Sequence, residues 1–206
     1  MNIVLDDRSR EAYKDTIAEL GRLCPETIKR KIARANVQQA FVLDAARRLC
    51  PKDGRILSVG AYEDTASESL RNLGHNIVEI DPVFNTDLAS FVKDFPDDRF
   101  DIVISTSVME HVQDDELFVA QICGALNDGG YAILTCDFND DYKPGSPKPV
   151  EDHRLYTKHD LTVRLKDVLE KHRCRIWGEV NYSGKTDFVY GGCTYAFATL
   201  VFRKEN

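Results

Sequence analysis

The chain has 206 residues, 30% of them charged, and a formal net charge of -7. That length holds one sizeable hydrophobic core and is short for two, and the negative balance offers no broad attraction to polyanions, so nucleic acid is not expected as a partner. No run approaches the roughly 18 consecutive apolar residues of a membrane helix, and the opening MNIVLDDRSRE has no basic region leading into an apolar stretch, so no membrane insertion and a cytoplasmic location are expected.

The first fifty residues read as a helical cap ahead of an α/β core over residues 51–206, the whole forming one domain. Ser9 is placed to cap a helix over residues 10–21, where Ala12, Tyr13, Ile17 and Leu20 recur every three to four positions and Gly21 supplies a stop. A short helix is expected over residues 27–33, and its Lys29 to Lys31 run reads as a solvated face. A stronger helix starts at Asn36, runs through Val37, Ala40, Phe41, Ala45 and Leu49, and ends at Pro51. This cap serves either as a lid over an active site or as a packing appendage.

From Arg55 the pattern alternates strand and helix. Strands are expected at Arg55–Val59, Asn76–Ile80, residues 101–105 and residues 131–136, with helices over residues 64–73, 87–94 and 114–126. Residues 137–152, DFNDDYKPGSPKPVED, hold three of the seven prolines and read as a long loop at a strand exit. A helix then carries Leu161, Leu165, Val168 and Leu169, and two last strands lie over residues 173–178 and 194–203. This order predicts a three-layer open, mainly parallel sheet with a terminal antiparallel strand. Six cysteines without a CxxC pair read as reduced, mostly buried thiols, and no His and Cys spacing suggests a metal site.

Three strand exits carry chemistry-bearing residues. Gly60 stands where the first strand turns into a helix, whose free amides face a polar ligand. Asp81 ends the second strand about twenty positions later, where a carboxylate can accept hydrogen bonds from both ribose hydroxyls of a nucleoside. The third strand delivers DIVISTSVMEH, small hydroxyls followed by Glu110 and His111, to the edge where open α/β sheets bind ligands.

Together ILSVGAYED, VEIDP, NTDLASF, RFDIVISTSVMEHV and LNDGGYAIL resemble the class I S-adenosylmethionine-dependent methyltransferases, over roughly residues 55–138. The resemblance implies a Rossmann-like fold and S-adenosyl-L-methionine as cofactor. It implies Gly60, Ala61 and Tyr62 at the glycine turn, Asp81 and Pro82 at the ribose, Asp87 and Leu88 at the adenine, and Ser105 and Thr106 at the methionine moiety. The chain departs from the family pattern at Ser58, where an acid is usual, and at Tyr62, where a second glycine is usual. Glu63 or Asp64 could supply the missing negative charge.

Methyl transfer to a hydroxyl needs a group that removes its proton. The candidates are His153, His111 and Asp137. His75, His159 and His172 have plainer settings in turns and helix ends. Arg154, Tyr156, Tyr182, Lys185, Asp187 and Tyr190 add rings and polar groups suited to a sugar. The segments RLYTKHDL and GEVNYSGKTDFVYGGCTYAFATLVFRK resemble bacterial methyltransferases of surface-glycan assembly. The expected activity is therefore O-methylation of a small hydroxylated acceptor, such as a sugar or glycan terminus. The alternative is a noncatalytic scaffold of the same fold in a glycan-synthesis assembly, and a homodimer is compatible with either.

Overall fold

The computed structural model describes residues 1–206. It opens with a strand, β1 (Asn2–Leu5), then α1 (Asp7–Ala12), α2 (Lys14–Leu23), α3 (Pro25–Ile28) and α4 (Asn36–Leu49). The alternating part follows as β2 (Arg55–Val59), α5 (Thr65–Asn72), β3 (Asn76–Ile80), α6 (Leu88–Asp94), β4 (Phe100–Thr106), α7 (Asp115–Ala125) and β5 (Leu126–Phe138). A wide π-type turn at Asp160–Arg164 leads into α8 (Leu165–Lys171), and β6 (Cys174–Ile176), β7 (Val180–Asn181), β8 (Phe188–Tyr190) and β9 (Cys193–Lys204) complete the chain.

The sheet order is β3-β2-β4-β5-β9-β1-β7, with β6 and β8 paired to β9. Strands β3, β2, β4 and β5 are parallel, and β9 returns antiparallel along β5 from Tyr131↔Arg203 to Phe138↔Ala196. This is the expected open, mainly parallel sheet with a terminal antiparallel strand. Because successive strand residues face opposite ways, Ile56, Ile102, Ile104 and Ile133 share one core with α2, α4 and α5. Leu57, Val103, Ala132 and Leu134 share the other with α6, α7 and α8. No helix is long and apolar enough to cross a membrane. All six cysteines are free, and five are buried.

Several expectations need correction. Residues 1–50 are not a helical cap throughout. β1 lies inside the sheet, antiparallel to β9 and parallel to β7. Its Asn2 is fully buried, donating from Nδ2 to the Trp177 carbonyl at 2.8 Å and accepting from the Val201 amide at 2.7 Å. α4 packs as a core helix against β4 and β5, so this part of residues 1–50 belongs to the α/β core itself. The helix expected over residues 10–21 is broken at Tyr13, and Asp6 caps its first part by accepting from the amides of Arg8 and Ser9. Ser9 instead turns inward and donates to the Val4 carbonyl. Finally, β5 runs to Phe138, which places Asp137 inside the ladder opposite Phe197 rather than in the loop.

Candidate active site

The carboxyl ends of β2, β3, β4 and β5 border two adjoining cavities of about 560 and 290 Å³, which share Gly60, Asp81, Pro82 and Val108 in their walls. The junction between them is set by the β2 exit. Gly60 has φ +78°, a backbone conformation unfavourable to side-chain-bearing residues, and a Cβ there would stand 2.4 Å from Val108 Cγ2. Any larger residue strains the turn and collides with the β4 exit.

Asp81 fixes the same turn from β3. Its Oδ2 accepts from the Tyr62 amide at 3.0 Å and its Oδ1 from the Val83 amide at 2.8 Å. A carboxylate has about four acceptor sites, so each oxygen retains capacity for a ligand hydroxyl. The smaller cavity continues over Asp87 and Leu88. Asp87 caps α6 by accepting from the Ser90 amide at 2.7 Å, and that bond holds its carboxyl below the ordinary range. Leu88 is buried in the cavity wall and offers an apolar surface.

Of the remaining expected cofactor contacts, Tyr62, Pro82 and Thr106 line the larger cavity. Ser105 and Ala61 do not border either one. The strand alternation explains Ser105, since Thr106 shares the α4 face with Ile104 while Ser105 points with Val103 to the opposite face. Ala61 is buried beneath the turn, its amide donating to the Ile80 carbonyl. Ser58 is likewise enclosed within β2. Glu63, at φ +56°, reaches the cavity but pairs with Arg30 at 2.7 Å. Asp64 is buried as the cap of α5 and lies outside it.

The larger cavity ends in a group of acids. The Ser107 hydroxyl, on a turn with φ +56°, donates to Glu110 Oε1 at 2.6 Å, and Glu110 is fully buried. Asp137 and Asp152 are also buried and line the cavity. Glu110 Oε2, Asp137 Oδ1 and Asp152 Oδ2 have no hydrogen-bond partner. Burial raises the carboxyl of Glu110, and burial beside Glu110 and Asp152 holds that of Asp137 well above its usual range. His111 Nδ1 lies 3.1 Å from Asp152 Oδ1, and this bond moves the imidazole up to about 9. At neutral pH His111 is a cation with its proton held.

His153 is not brought to this cavity. Its amide donates to the Glu110 carbonyl at 2.8 Å, but the residue is exposed and lines a separate groove with Arg154 and Arg164. Other residues expected to hold an acceptor are structural. Tyr156 is fully buried and donates to Asp115 Oδ2 at 2.8 Å, and Arg154 pairs with Asp115 Oδ1 at 2.7 Å. Tyr182 stacks on Phe138 and donates to the Thr199 carbonyl, and Asp187 is paired with Arg10 at 2.8 Å. Lys185 is exposed and is not in the cavity wall, whereas Tyr190 lines it.

Asp152, Asn36, Gln38, Tyr195, Phe188 and Phe197, none of them expected at the site from the sequence, also line the cavity. In the Lys29 to Lys31 run, Lys29 and Arg30 are exposed, as expected of a solvated face, and Arg30 and Lys31 also border the cavity. One signal was available. Asn36, Gln38 and Gln39 are polar positions at the head of a helix with apolar residues on every side, so burial of that segment must enclose amides.

A family model described as a methyltransferase domain matches residues 27–176, and the chain belongs to that family. No curated protein matches. Among solved structures, the chain is similar to TehB from Haemophilus influenzae, at 17% identity and a TM-score of 0.56 over 80% of this chain and 62% of that one. It is also similar to the 1,6-didemethyltoxoflavin-N1-methyltransferase of Burkholderia thailandensis, at 14% identity and a TM-score of 0.54 over 95% of this chain and 88% of that one. A third is a S-adenosylmethionine-dependent methyltransferase from Clostridium acetobutylicum, at 11% identity and a TM-score of 0.53 over 95% of this chain and the full length of that one. These likenesses share the Rossmann-like methyltransferase fold.

Proposed function

We propose that the protein transfers a methyl group from S-adenosyl-L-methionine to a small polar acceptor bound at the acid-lined end of the larger cavity. The observation that carries this reading is the junction at Gly60, where a tight turn that admits no Cβ meets the spare acceptor capacity of Asp81 between two connected cavities. The residues fit the cofactor. Asp81 would accept from the ribose hydroxyls, Asp87 and Leu88 would border the adenine, and Gly60 and Thr106 would border the methionine part. When bound, the cofactor supplies an electrophilic methyl on a sulfonium. Family membership and the S-adenosylhomocysteine bound to the Burkholderia protein support the same cofactor.

The chain's own contribution is to position the acceptor and take its proton. Asp137 projects from β5 on the face shared with α4, and burial beside Glu110 and Asp152 raises its carboxyl, which strengthens it as a proton acceptor. His111 stays protonated against Asp152 and orients that wall. A hydroxylated acceptor, including a sugar or glycan terminus, could lose its proton to Asp137 in this way. Yet most of the residues that suggested a glycan, Tyr156, Arg154, Tyr182 and Asp187, are engaged elsewhere.

Calorimetric titration with S-adenosyl-L-methionine tests the reading. Saturable binding by the wild type is expected, with at least a tenfold loss in Asp81→Ala and Asp81→Asn whose circular dichroism is unchanged. A folded wild type that binds nothing would sink it. The second reading, a noncatalytic scaffold, draws on the enclosed Ser58 and the half-exposed Tyr62 ring at the turn. It predicts cofactor binding without methyl transfer to any member of a hydroxyl and amine acceptor panel.

A further inference from the structure

The acid-lined end of the cavity leaves several buried acceptors without donors. Asp137 Oδ1, Asp152 Oδ2, Gln38 Oε1 and Asn36 Oδ1 lack partners, and all four side chains are more than nine-tenths buried and line the cavity. The amide oxygens come from α4 and are independent of the acids. Gln38 Nε2 is directed at Ser107 Oγ at 3.4 Å, which leaves its oxygen free. Buried acceptors without donors are costly in a folded protein, so this wall is built to receive donors from a ligand.

Charge narrows the ligand further. Asp137 and Asp152 line this end with Glu110 buried nearby, and His111 is the cation paired to Asp152. Arg30 is engaged with Glu63, and Lys31 also lines the cavity. A neutral hydroxyl satisfies lone pairs but does not offset the burial and mutual repulsion that raise the carboxyls of Glu110 and Asp137. An ammonium brings up to three donors and one positive charge. No group of three His, Cys, Asp or Glu side chains is arranged to hold a metal ion.

Aromatic rings flank the acids. Phe188 and Phe197 lie 4.7 Å apart between centroids, Phe188 and Tyr195 5.2 Å, and all three line the cavity. Phe197 is the ladder partner of Asp137, so its ring and that carboxylate emerge side by side. Ring faces attract cations and also cover apolar carbon.

From this juxtaposition we propose that the acceptor is an amine carried on an apolar or aromatic body, bound as its ammonium by Asp137 and Asp152, with Gln38 and Asn36 as further acceptors. The proposal rests on the methyltransferase reading only for the transfer step. There Asp137 carboxylate takes one proton from the ammonium, giving a neutral amine and a carboxylic acid. The nitrogen lone pair then forms the new C–N bond as the methyl–sulfur bond breaks, and the electron pair of that bond stays on sulfur as a neutral thioether. The product is the N-methylated ammonium.

The test compares 2-phenylethylamine with 2-phenylethanol, which differ only in the donor group, by calorimetry on the full chain with and without S-adenosylhomocysteine. The amine should bind at least tenfold more tightly. Asp137→Asn and Asp152→Asn, both confirmed folded by circular dichroism, should each remove most of that preference while leaving the alcohol within twofold. Equal or tighter binding of the alcohol, binding of neither probe, or an amine preference that survives both variants would overturn the proposal. Its failure is separable from failure of the parent reading. S-adenosylhomocysteine binding without amine preference defeats this inference alone, whereas amine preference without S-adenosylhomocysteine binding defeats the cofactor reading and leaves the amine site standing.

Discussion

Two buried acidic regions lie on either side of the short 3-10 turn at Met109–His111, and they are treated in opposite ways. Asp115, at the start of α7, is almost fully enclosed, yet every direction is answered. Arg154 approaches Oδ1 at 2.7 Å, Arg164 approaches Oδ1 at 3.0 Å and Oδ2 at 2.8 Å, and Tyr156 donates to Oδ2 at 2.8 Å. Although burial alone would raise it, the Arg164 and Tyr156 bonds and the charge of both arginines leave its carboxyl below the ordinary range. Glu110, Asp137 and Asp152 are as deeply buried, each keeps an oxygen without a partner, and the carboxyls of Glu110 and Asp137 are raised. A saturated buried acid fastens structure, here the long loop and α8 onto α7. Asp137 and Asp152, orphaned at a cavity wall, are a stored cost that a ligand can relieve.

The strongest way to break this contrast is to remove the saturated acid. Asp115→Ala leaves Arg154, Arg164 and Tyr156 facing an uncompensated site and should cost about 3–5 kcal/mol of stability, read by urea unfolding. A loss under about 1 kcal/mol would mean that water replaces the carboxylate easily and that the two regions are alike.

Removing an orphaned acid should have the opposite sign. The folded carboxyl of Asp137 titrates above its unfolded value, so the folded state binds the extra proton and loses stability as pH rises from about 4 through the folded pKa. Asp137→Asn cannot ionise. It should match the wild type near pH 4 and exceed it at pH 8 by roughly 1–3 kcal/mol, while methyl transfer is lost. Thermal unfolding at the two pH values checks the first part, and a variant less stable than wild type at pH 8 would contradict it.

His111 provides a smaller probe of the same region. Its imidazole titrates at about 9 when folded, against an ordinary value near 6.5, because of Asp152. The stability it adds is therefore full below about pH 6.5 and disappears as pH rises through 9. The ring is close to half exposed, so solvent screens the pair and His111→Asn should cost only about 0.5–1 kcal/mol at pH 6, and nothing at pH 10. The least effect is expected at His153, whose ring belongs to neither acid group. His153→Ala should stay within about 0.5 kcal/mol of wild type and leave cofactor affinity unchanged. A large loss of binding would return this residue to the site.

The sequence by itself determined the alternating α/β order, the mainly parallel sheet and its antiparallel return, because apolar runs of strand length and amphipathic runs of helix length are local patterns. It also marked the strand exits that meet at the cavities, Gly60, Asp81, Asp137 and His111, because an exit is read from where an apolar run stops. Tertiary structure alone decided the rest. β1 has four residues and no turn signal, and it exists as a strand because β9, almost two hundred residues away, offers it an edge. His153 and Asp152 are adjacent in the chain, yet folding buries the acid beside His111 and leaves the histidine in another groove. Asp115 and Asp137 are the same residue type at element ends, and only packing separates them. One met two arginines and a tyrosine, and the other met two more acids and an open cavity.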